Sequence, residues 1–546
     1  MSVVQDKLFS RMIIIIAICI FALYAIYSHA ASTPPSDPYN YDVMESLLID
    51  KQDPAYDYTL GDKAYYVSAE TGSDSNDGSE NAPFATILYA LSQATGGEVI
   101  YVMNGDYGDL KFGANYFENS SKSTPIDEVF TDWVTLKAMP GQHPVLGNVT
   151  LGTTHDAGGW YRIDFAQKGN SDLRLRIDGF KITDNVIIRG SRYVDIRNNQ
   201  ISQKGDFASM SLEEKSDYMA NAGVHIFNGR YVKVLYNEIL NTGVGIWAMT
   251  NDLVVKGNHL HHLTHDGLQF HGGSNWLIEN NIVHDLDDGM FDGDDETKGV
   301  NMHVDGIQVY VINVGGTSYA KRLDNVTIRG NLFYHVESMD FMISGPPQWI
   351  KDLGGGYGNF FIENNIFAPS NGSLIILGAG FDGLVFRHNT VLYTPNDQWQ
   401  SVWGRNFGQT FNNPAADDYY IQTWWHAILD HQPDYYFNNN IVVNTGAVWT
   451  SGGDNINANM NIYYSPNNSE KVLDEGRGYT TAIPPYVTID GKLQDYLDAG
   501  HIPGALEVGS LAVDNGYTEN ALPPLETDFM GNPRDQAPDI GAIELQ

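Results

Sequence analysis

A parallel β-helix is the fold this sequence predicts. Two observations predict it: one asparagine frame recurs along most of the chain, and the apolar positions inside that frame alternate with period two. The frame reads apolar, any, apolar, two of any kind, Asn, any, apolar. It occurs at Val194-Ile196-Asn199-Ile201, Val232-Val234-Asn237-Ile239, Leu253-Val255-Asn258-Leu260, Trp276-Ile278-Asn281-Val283, Val326-Ile328-Asn331-Phe333, Phe360-Ile362-Asn365-Phe367, Leu384-Phe386-Asn389-Val391, Tyr435-Phe437-Asn440-Val442 and Ile456-Ala458-Asn461-Tyr463. Asn237, Asn258 and Asn281 are spaced by 21 and 23 residues, and wider gaps read as one coil plus an inserted loop. Self-similarity at that period marks a solenoid, in which each turn buries its apolar face only against its neighbours. Period-two alternation makes the unit a strand rather than a helix. Asn at the bend after each strand tolerates left-handed backbone, and stacked Asn side chains can hydrogen-bond along the axis.

The elements follow in chain order. Lys7 and Arg11 precede an apolar run from Met12 to Tyr27 that ends in Ser28-His29-Ala30-Ala31, so residues 1–30 read as a secretory signal. The only cysteine, Cys19, lies inside that run, which leaves the mature chain without a disulfide or a thiol nucleophile. Export without disulfides predicts a secreted or periplasmic bacterial protein with no stable membrane insertion once the signal is cut. Residues 31–62 are polar and read as linker. Tyr65–Ser68 opens a strand, Gly72–Ser79 is a turn-rich loop, Leu88–Ala94 a short amphipathic helix, and Glu98–Val102 the next strand. A helix there caps the open end of the solenoid and hides its strand edges. The solenoid runs over residues 63–465, and residues 466–546 form a tail packed on the last coils.

Charge narrows the function classes. Lys plus Arg number 31 against 67 Asp plus Glu, a formal charge of −36. Nothing in that balance neutralises phosphates, which excludes nucleic acid as a partner. It also disfavours an anionic membrane surface and suits a calcium-rich exterior.

The blocks Tyr65-Tyr66-Val67-Ser68, Gly72-Ser73-Asp74-Ser75-Asn76-Asp77-Gly78-Ser79, Ala82-Pro83-Phe84-Ala85-Thr86-Ile87 and Asn104-Gly105-Asp106-Tyr107 open the solenoid. Asp528-Phe529-Met530-Gly531-Asn532-Pro533-Arg534 and Asp539-Ile540-Gly541-Ala542-Ile543-Glu544 close it. Together with the asparagine frames they resemble secreted right-handed parallel β-helix proteins of the pectate-lyase-like superfamily, over most of the mature chain. That resemblance implies a right-handed coil with long loops on one face. Its members include polysaccharide lyases, glycoside hydrolases, uronate epimerases and phage tail proteins, so the fold leaves the reaction open.

Enlarged gaps locate the site. They lie between Asn199 and Asn237, Asn281 and Asn331, Asn331 and Asn365, and Asn389 and Asn440. Insertions in a solenoid map to loops that often rim the binding face. The last gap carries Trp399, Trp403, Tyr419, Tyr420, Trp424, Trp425 and His426. Such rings can stack on the C–H faces of sugars, and Trp424 and Trp425 are candidate substrate contacts; they could equally pack the loop onto the coil.

Three coils align on their leading strands: His265-Asp266-Gly267-Leu268-Gln269-Phe270-His271, Val304-Asp305-Gly306-Ile307-Gln308-Val309-Tyr310 and Met339-Asp340-Phe341-Met342-Ile343-Ser344-Gly345. This register puts Asp266, Asp305 and Asp340 in one column, Gln269 with Gln308, and His271 with Tyr310. Leu268, Phe270, Ile307 and Val309 point inward, so Gln269, His271, Gln308 and Tyr310 point outward. Strands about 4.8 Å apart would bring these groups together across neighbouring coils. His265 and His303 border the patch. For β-elimination on a uronate, His271 or His303 would be the base, Tyr310 the acid, and Gln269 and Gln308 the clamps, with Lys298, Arg322 and Lys351 as rivals for the base. For hydrolysis, two of Asp266, Asp305 and Asp340 would be acid and base. A column of turn-capping aspartates and solvated polar residues would look the same in sequence.

The longest acidic insertion contains Asp287, Asp288, Asp292, Asp294 and Asp295, alternating with glycine. Carboxylates so arranged suit Ca²⁺, which takes six to eight oxygens. Arg197, Lys256, Glu279, Arg329, Glu363 and Arg387 follow the apolar pair of their frames and read as an exposed salt-linked ladder rather than a substrate track. The expected protein is a monomeric, calcium-assisted lyase acting on an extracellular acidic polysaccharide. A glycoside hydrolase and a non-catalytic glycan-binding protein are the alternatives.

Overall fold

The structure, a computed structural model, describes residues 58–113, 129–152, 171–288, 304–311, 322–343, 355–368, 375–377, 381–392, 420–423, 434–443, 447–450, 456–464, 479–481, 505–517 and 522–545. The expected signal and residues 31–57 of the expected linker lie outside them. Among the described residues, strands stack in two parallel sheets, one of 21 strands and one of 12. Each coil has three legs. In the central coil, Leu268–Glu279 supplies the first two, with a bend between them, and Ile282–Leu286 supplies the third. The first two legs belong to the larger sheet, the third to the smaller.

Alternation along each leg builds the core. Ile246, Leu268, Ile307 and Phe341 stack in register, as do Leu260, Val283, Phe333 and Phe367. All are fully buried. Each such side chain contributes about 1.5–3 kcal/mol by leaving water. Aromatic rungs align face to face: the Phe333 and Phe367 centroids are 5.4 Å apart, those of Phe386 and Phe437 5.1 Å. The buried Trp276 indole donates to the Thr250 carbonyl at 2.9 Å, so its polar atom is satisfied.

The asparagines form the expected ladder. Asn199, Asn237, Asn258, Asn281, Asn331, Asn365, Asn389, Asn440 and Asn461 are buried, and the backbone N–H of each but the last donates to the next side-chain oxygen at 2.9–3.0 Å. Left-handed backbone, however, belongs to the residue before each of them. Asn198, Tyr236, Asn280, Asn364, His388, Asn439 and Met460 have φ between 51° and 56°. The ladder residue is Asn because its amide both donates and accepts between coils, not because its backbone is strained.

The capping helix spans Ile87–Gln93, one residue earlier than expected, since Thr86 serves as N-cap and accepts from Tyr89 N–H at 3.2 Å. Its buried Ile87, Ala90 and Leu91 cover the first coil. The expected linker ends in a docked residue. The Tyr58 ring lies 4.5 Å from both the Arg176 and Arg197 guanidinium carbons, and its hydroxyl donates to Asp178. Arg534 in the tail ties Asn364 (2.9 Å) to Glu544 (2.7 Å), and Ala542 N–H donates to Thr390 Oγ1 at 2.9 Å.

Candidate active site on the first leg

The first leg begins at a tight corner, where Gly223, Gly245, Gly267 and Gly306 stack. A Cβ on Gly267 would lie 2.5 Å from Val283 Cγ1 and 2.6 Å from the Gly306 carbonyl oxygen, so the corner admits only hydrogen there. The repeated Asp-Gly of the sequence is therefore partly a demand of packing. From this corner Gln269 pairs with Gln308 as expected, and each outward position stacks on the next: His225, Trp247, Gln269, Gln308 and Met342 form one column. Gln269 Nε2 donates to Gln308 Oε1 at 3.1 Å and to Tyr310 Oη at 3.3 Å, and Gln308 Nε2 donates to Asp305 Oδ2 at 3.1 Å. Gln308, Tyr310 and Met342 are partly exposed. The column therefore opens to solvent at Tyr310 and Gln308, while Gln269 is 5% exposed.

Three expectations change. The strand bulges at His271: Ala248 pairs with Phe270 and Met249 with Gly272, leaving His271 outside the alternation. The ring is 1% exposed, edge-on to Tyr310 at 4.1 Å and to Trp247 at 5.4 Å, and its Nδ1 bonds the Tyr310 carbonyl oxygen at 3.2 Å. Burial pushes its pKa down to about 3, so it is neutral and a weak base. His271 supports Tyr310 instead of facing solvent. Second, Asp340 is one place out of register, because Asp305 pairs with Met339 and Ile307 with Phe341. Gly306 packs against the Asp340 carbonyl, so Asp340 continues the glycine column. Third, Asp266, Asp305 and Asp340 are fully buried rather than displayed. Asp266 Oδ1 accepts from Asp305 N–H at 2.9 Å, while its Oδ2 lies 3.7 Å from His265 Nε2. Burial and the neighbouring Asp305 raise the Asp266 pKa well above the usual carboxylate range.

The corner that joins the third leg to the first is acidic across successive coils. Asp287 and Asp288 follow the Ile282–Leu286 strand, and Glu337 follows Leu332–Val336. All three are buried, with one carboxylate oxygen each inside a 4.8 Å cluster, and Asp288 N–H donates to Glu337 Oε2 at 2.9 Å. Hard oxygen donors gathered this way fit Ca²⁺. Glu337 was missed, since its position becomes visible only once the coils are stacked. Of the expected ligands, Asp292, Asp294 and Asp295 lie outside the described residues, as do His303, Lys298, Lys351, Trp424 and Trp425. Arg322 is engaged by Asp324 at 2.6 Å and by Asp382, which argues against its acting as a base.

A second helix, Leu212–Met219, comes from the gap between Asn199 and Asn237 and begins with a Ser211–Glu214 capping box. It brings the Met219 carbonyl 3.3 Å from His265 Nδ1, beside Asp266. His225 and Trp247 also escaped the sequence reading. Their ring centroids are 4.5 Å apart, walling one end of the column. They occupy the outward place between inward residues, Val224 and Ile226 for one and Ile246 and Ala248 for the other, and that alternation was the available signal.

The basic–acidic column is salt-linked as expected: Lys256 Nζ and Arg329 Nε lie 2.7 and 2.6 Å from Glu279, and Arg387 Nε lies 2.9 Å from Glu363. It is exposed only in part: the Arg329 side chain is 43% exposed, whereas those of Lys256, Glu363 and Arg387 are each no more than 6% exposed. A cavity of about 460 Å³ between this ladder and residues 523–531 is lined by Glu279, Arg329, Glu363 and Arg387, all engaged in these pairs, together with Glu526 and Asp528.

Residues 165–293 match the family described as a right handed beta helix region, and residues 70–115 match one described as a protein of unknown function, DUF1565. No curated protein sequence matches the chain. Among solved structures, pectate lyase Pel9A is similar over 89% of this chain and 97% of its own, at 13% identity and a TM-score of 0.47. The complex of XylC with xylose matches over 88% and 98%, at 13% identity and a TM-score of 0.40. The GH136 lacto-N-biosidase from Eubacterium ramulus matches over 77% and 68%, at 10% identity and a TM-score of 0.35. Stacked parallel strands, the three-legged coil and the matched region define one class: the chain is a right-handed parallel β-helix protein.

Proposed function

We propose that this protein cleaves an extracellular, uronate-containing polysaccharide by β-elimination at the Gln269–Gln308–Tyr310 column. The observation that carries the reading is Tyr310: it is half-buried on the outward face of the first leg, and its hydroxyl, an ionisable O–H, accepts from the Gln269 amide at 3.3 Å. In the reaction a base removes the proton next to the uronate carboxyl group. The bond to the leaving glycosidic oxygen breaks, a carbon–carbon double bond forms, and the departing oxygen takes a proton. Tyr310 supplies that proton, and the Gln308 amide holds the sugar's carboxylate or a hydroxyl. With His271 buried, the base falls to a residue of the inserted loops, His303 or Lys351 among them. Asp287, Asp288 and Glu337 would hold Ca²⁺, which would offset the charge of the substrate carboxylate.

A second reading is a glycoside hydrolase in which Asp266, held protonated, is the acid and Asp305 its partner. Burial of both carboxylates weakens it. Incubation with a panel of acidic and neutral polysaccharides separates the readings. A lyase releases unsaturated ends that absorb ultraviolet light. New reducing ends without that absorbance would favour the hydrolase, and retention without cleavage a glycan-binding protein.

A further inference from the structure

The third leg carries a second cluster, with different chemistry. Leu260, Val283 and Phe333 face the core there, which turns His259, His261, His284 and Tyr334 outward. His261 pairs with His284 across adjacent coils, and Glu238 on the preceding coil pairs with His259. The ring planes align, with 4.2 Å between the His259 and His261 centroids and 5.3 Å between those of His261 and His284. One ring nitrogen from each of the three lies within 4.8 Å of the others.

Hydrogen bonding sets the direction of these nitrogens. Asp285 Oδ2 accepts from His284 Nδ1 at 2.9 Å, and Asp285 Oδ1 accepts from His335 Nδ1 at 3.2 Å. The proton of His284 therefore sits on Nδ1, and its Nε2 presents a lone pair. That lone pair points at His259 Nε2, 2.7 Å away. His261 Nδ1 likewise faces a ring nitrogen, His262 Nδ1 at 2.5 Å, so two nitrogen pairs meet here with at most one proton between the members of each. A carboxylate holding a histidine by its far nitrogen is the outer-shell arrangement that orients imidazole ligands toward a metal. Glu238 Oε1, 3.3 Å from His261 Nε2, brings a further carboxylate to the cluster's edge, and its side chain is 37% exposed, which gives ions a path in.

We propose that His259, His261 and His284 bind a divalent transition-metal ion of the zinc class and clip successive coils together on the third leg, a different face from that of the Tyr310 column. Neutral imidazoles select borderline ions such as Zn²⁺, Co²⁺ and Ni²⁺, and reject Ca²⁺, which requires oxygen. The site is thus independent of the calcium expected at Asp287, Asp288 and Glu337, and of the proposed reaction. Asp285 is a positioning residue in it.

The test is titration of the chelator-treated full chain with Co²⁺, read by its visible ligand-field absorption, together with the metal content of protein equilibrated with Zn²⁺. One equivalent of Co²⁺ should bind with the spectrum of a low-coordinate nitrogen site, and Zn²⁺ should displace it while a large excess of Ca²⁺ should not. His259→Gln and His284→Gln should abolish the signal, Asp285→Asn should weaken binding about 10- to 100-fold, and His225→Gln, in a buried histidine outside the cluster, should leave it intact. Zn²⁺ should also raise the melting temperature of the wild type but not of His259→Gln, a readout that needs no activity. A folded wild-type chain that takes up no Co²⁺ or Zn²⁺, or a signal that survives both histidine variants, would overturn the proposal and leave a hydrogen-bonded imidazole cluster.

Discussion

At the residue scale, the decisive contrast is between Tyr310 and His271. They touch, yet Tyr310 reaches solvent and His271 does not. Replacing Tyr310 by Phe removes one hydroxyl and almost no packing. Turnover should fall by about 10²- to 10⁴-fold, the range of a lost general acid, with the melting temperature nearly unchanged. His271→Ala should act differently. It empties a buried site between Trp247 and Tyr310, and should cost about 1–3 kcal/mol in urea unfolding, with activity lost only as Tyr310 moves. Equal stability in His271→Ala and wild type would contradict this support role. The sequence revealed that these two residues meet, because period-two register is simple arithmetic. It could not reveal the bulge that withdraws His271, since a bulge adds a residue without leaving a mark in the apolar pattern.

At the element scale, the asparagine ladder is the seam of the coil. Asn281 accepts from Asn258 N–H and Nδ2, and donates to the Val255 carbonyl and to Asn331 Oδ1, all within 2.9–3.0 Å. Asn281→Ala would orphan several buried polar groups at about 1–3 kcal/mol each, so a loss of roughly 3–5 kcal/mol is expected. Urea denaturation of that variant checks it, and a loss under 1 kcal/mol would mean the ladder is ornamental. This element was legible because its repeat, its polarity and its burial all demand one residue type. The corner was less so. Asp266 and Asp305 stack as read, but Asp340 slips by one because it takes the place of a glycine, and no local feature of Met339-Asp340-Phe341 announces that. The histidines at 259, 261 and 284 sit 2 and 23 residues apart, a spacing that points nowhere until the third legs are stacked.

For the whole molecule, buried histidines dominate the response to pH. Burial holds His225, His261, His262, His271, His284 and His388 below the ordinary imidazole value. The unfolded chain takes up protons on these rings before the folded one does, so the stability they carry is whole above about pH 6.5 and is lost as pH falls. Asp266 works in the opposite sense: its raised pKa stabilises the fold at low pH, and that contribution is lost as pH rises. Asp184, Asp195, Asp324, Asp539 and Glu544 are raised as well, but of these carboxylates only Asp266 lies well above its ordinary value, so the six histidines dominate near neutral pH. The unfolding free energy should therefore drop between pH 7 and pH 5, by up to about 1.4 kcal/mol per pH unit for each ring. A urea midpoint that is flat or rising over that interval would contradict the buried, neutral state of these rings.

The most direct measurement of the proposed chemistry is the ultraviolet absorbance of unsaturated product during incubation with a uronate polysaccharide. It should be followed in wild type, Tyr310→Phe and Asp287→Asn, each after chelation and again after Ca²⁺ is restored. The expected result is a calcium-dependent rise in wild type, none in Tyr310→Phe, and a rise in Asp287→Asn only at much higher Ca²⁺. Wild-type absorbance undiminished in Tyr310→Phe, or cleavage that yields reducing ends and no absorbance at all, would place the reaction elsewhere or make it a hydrolysis.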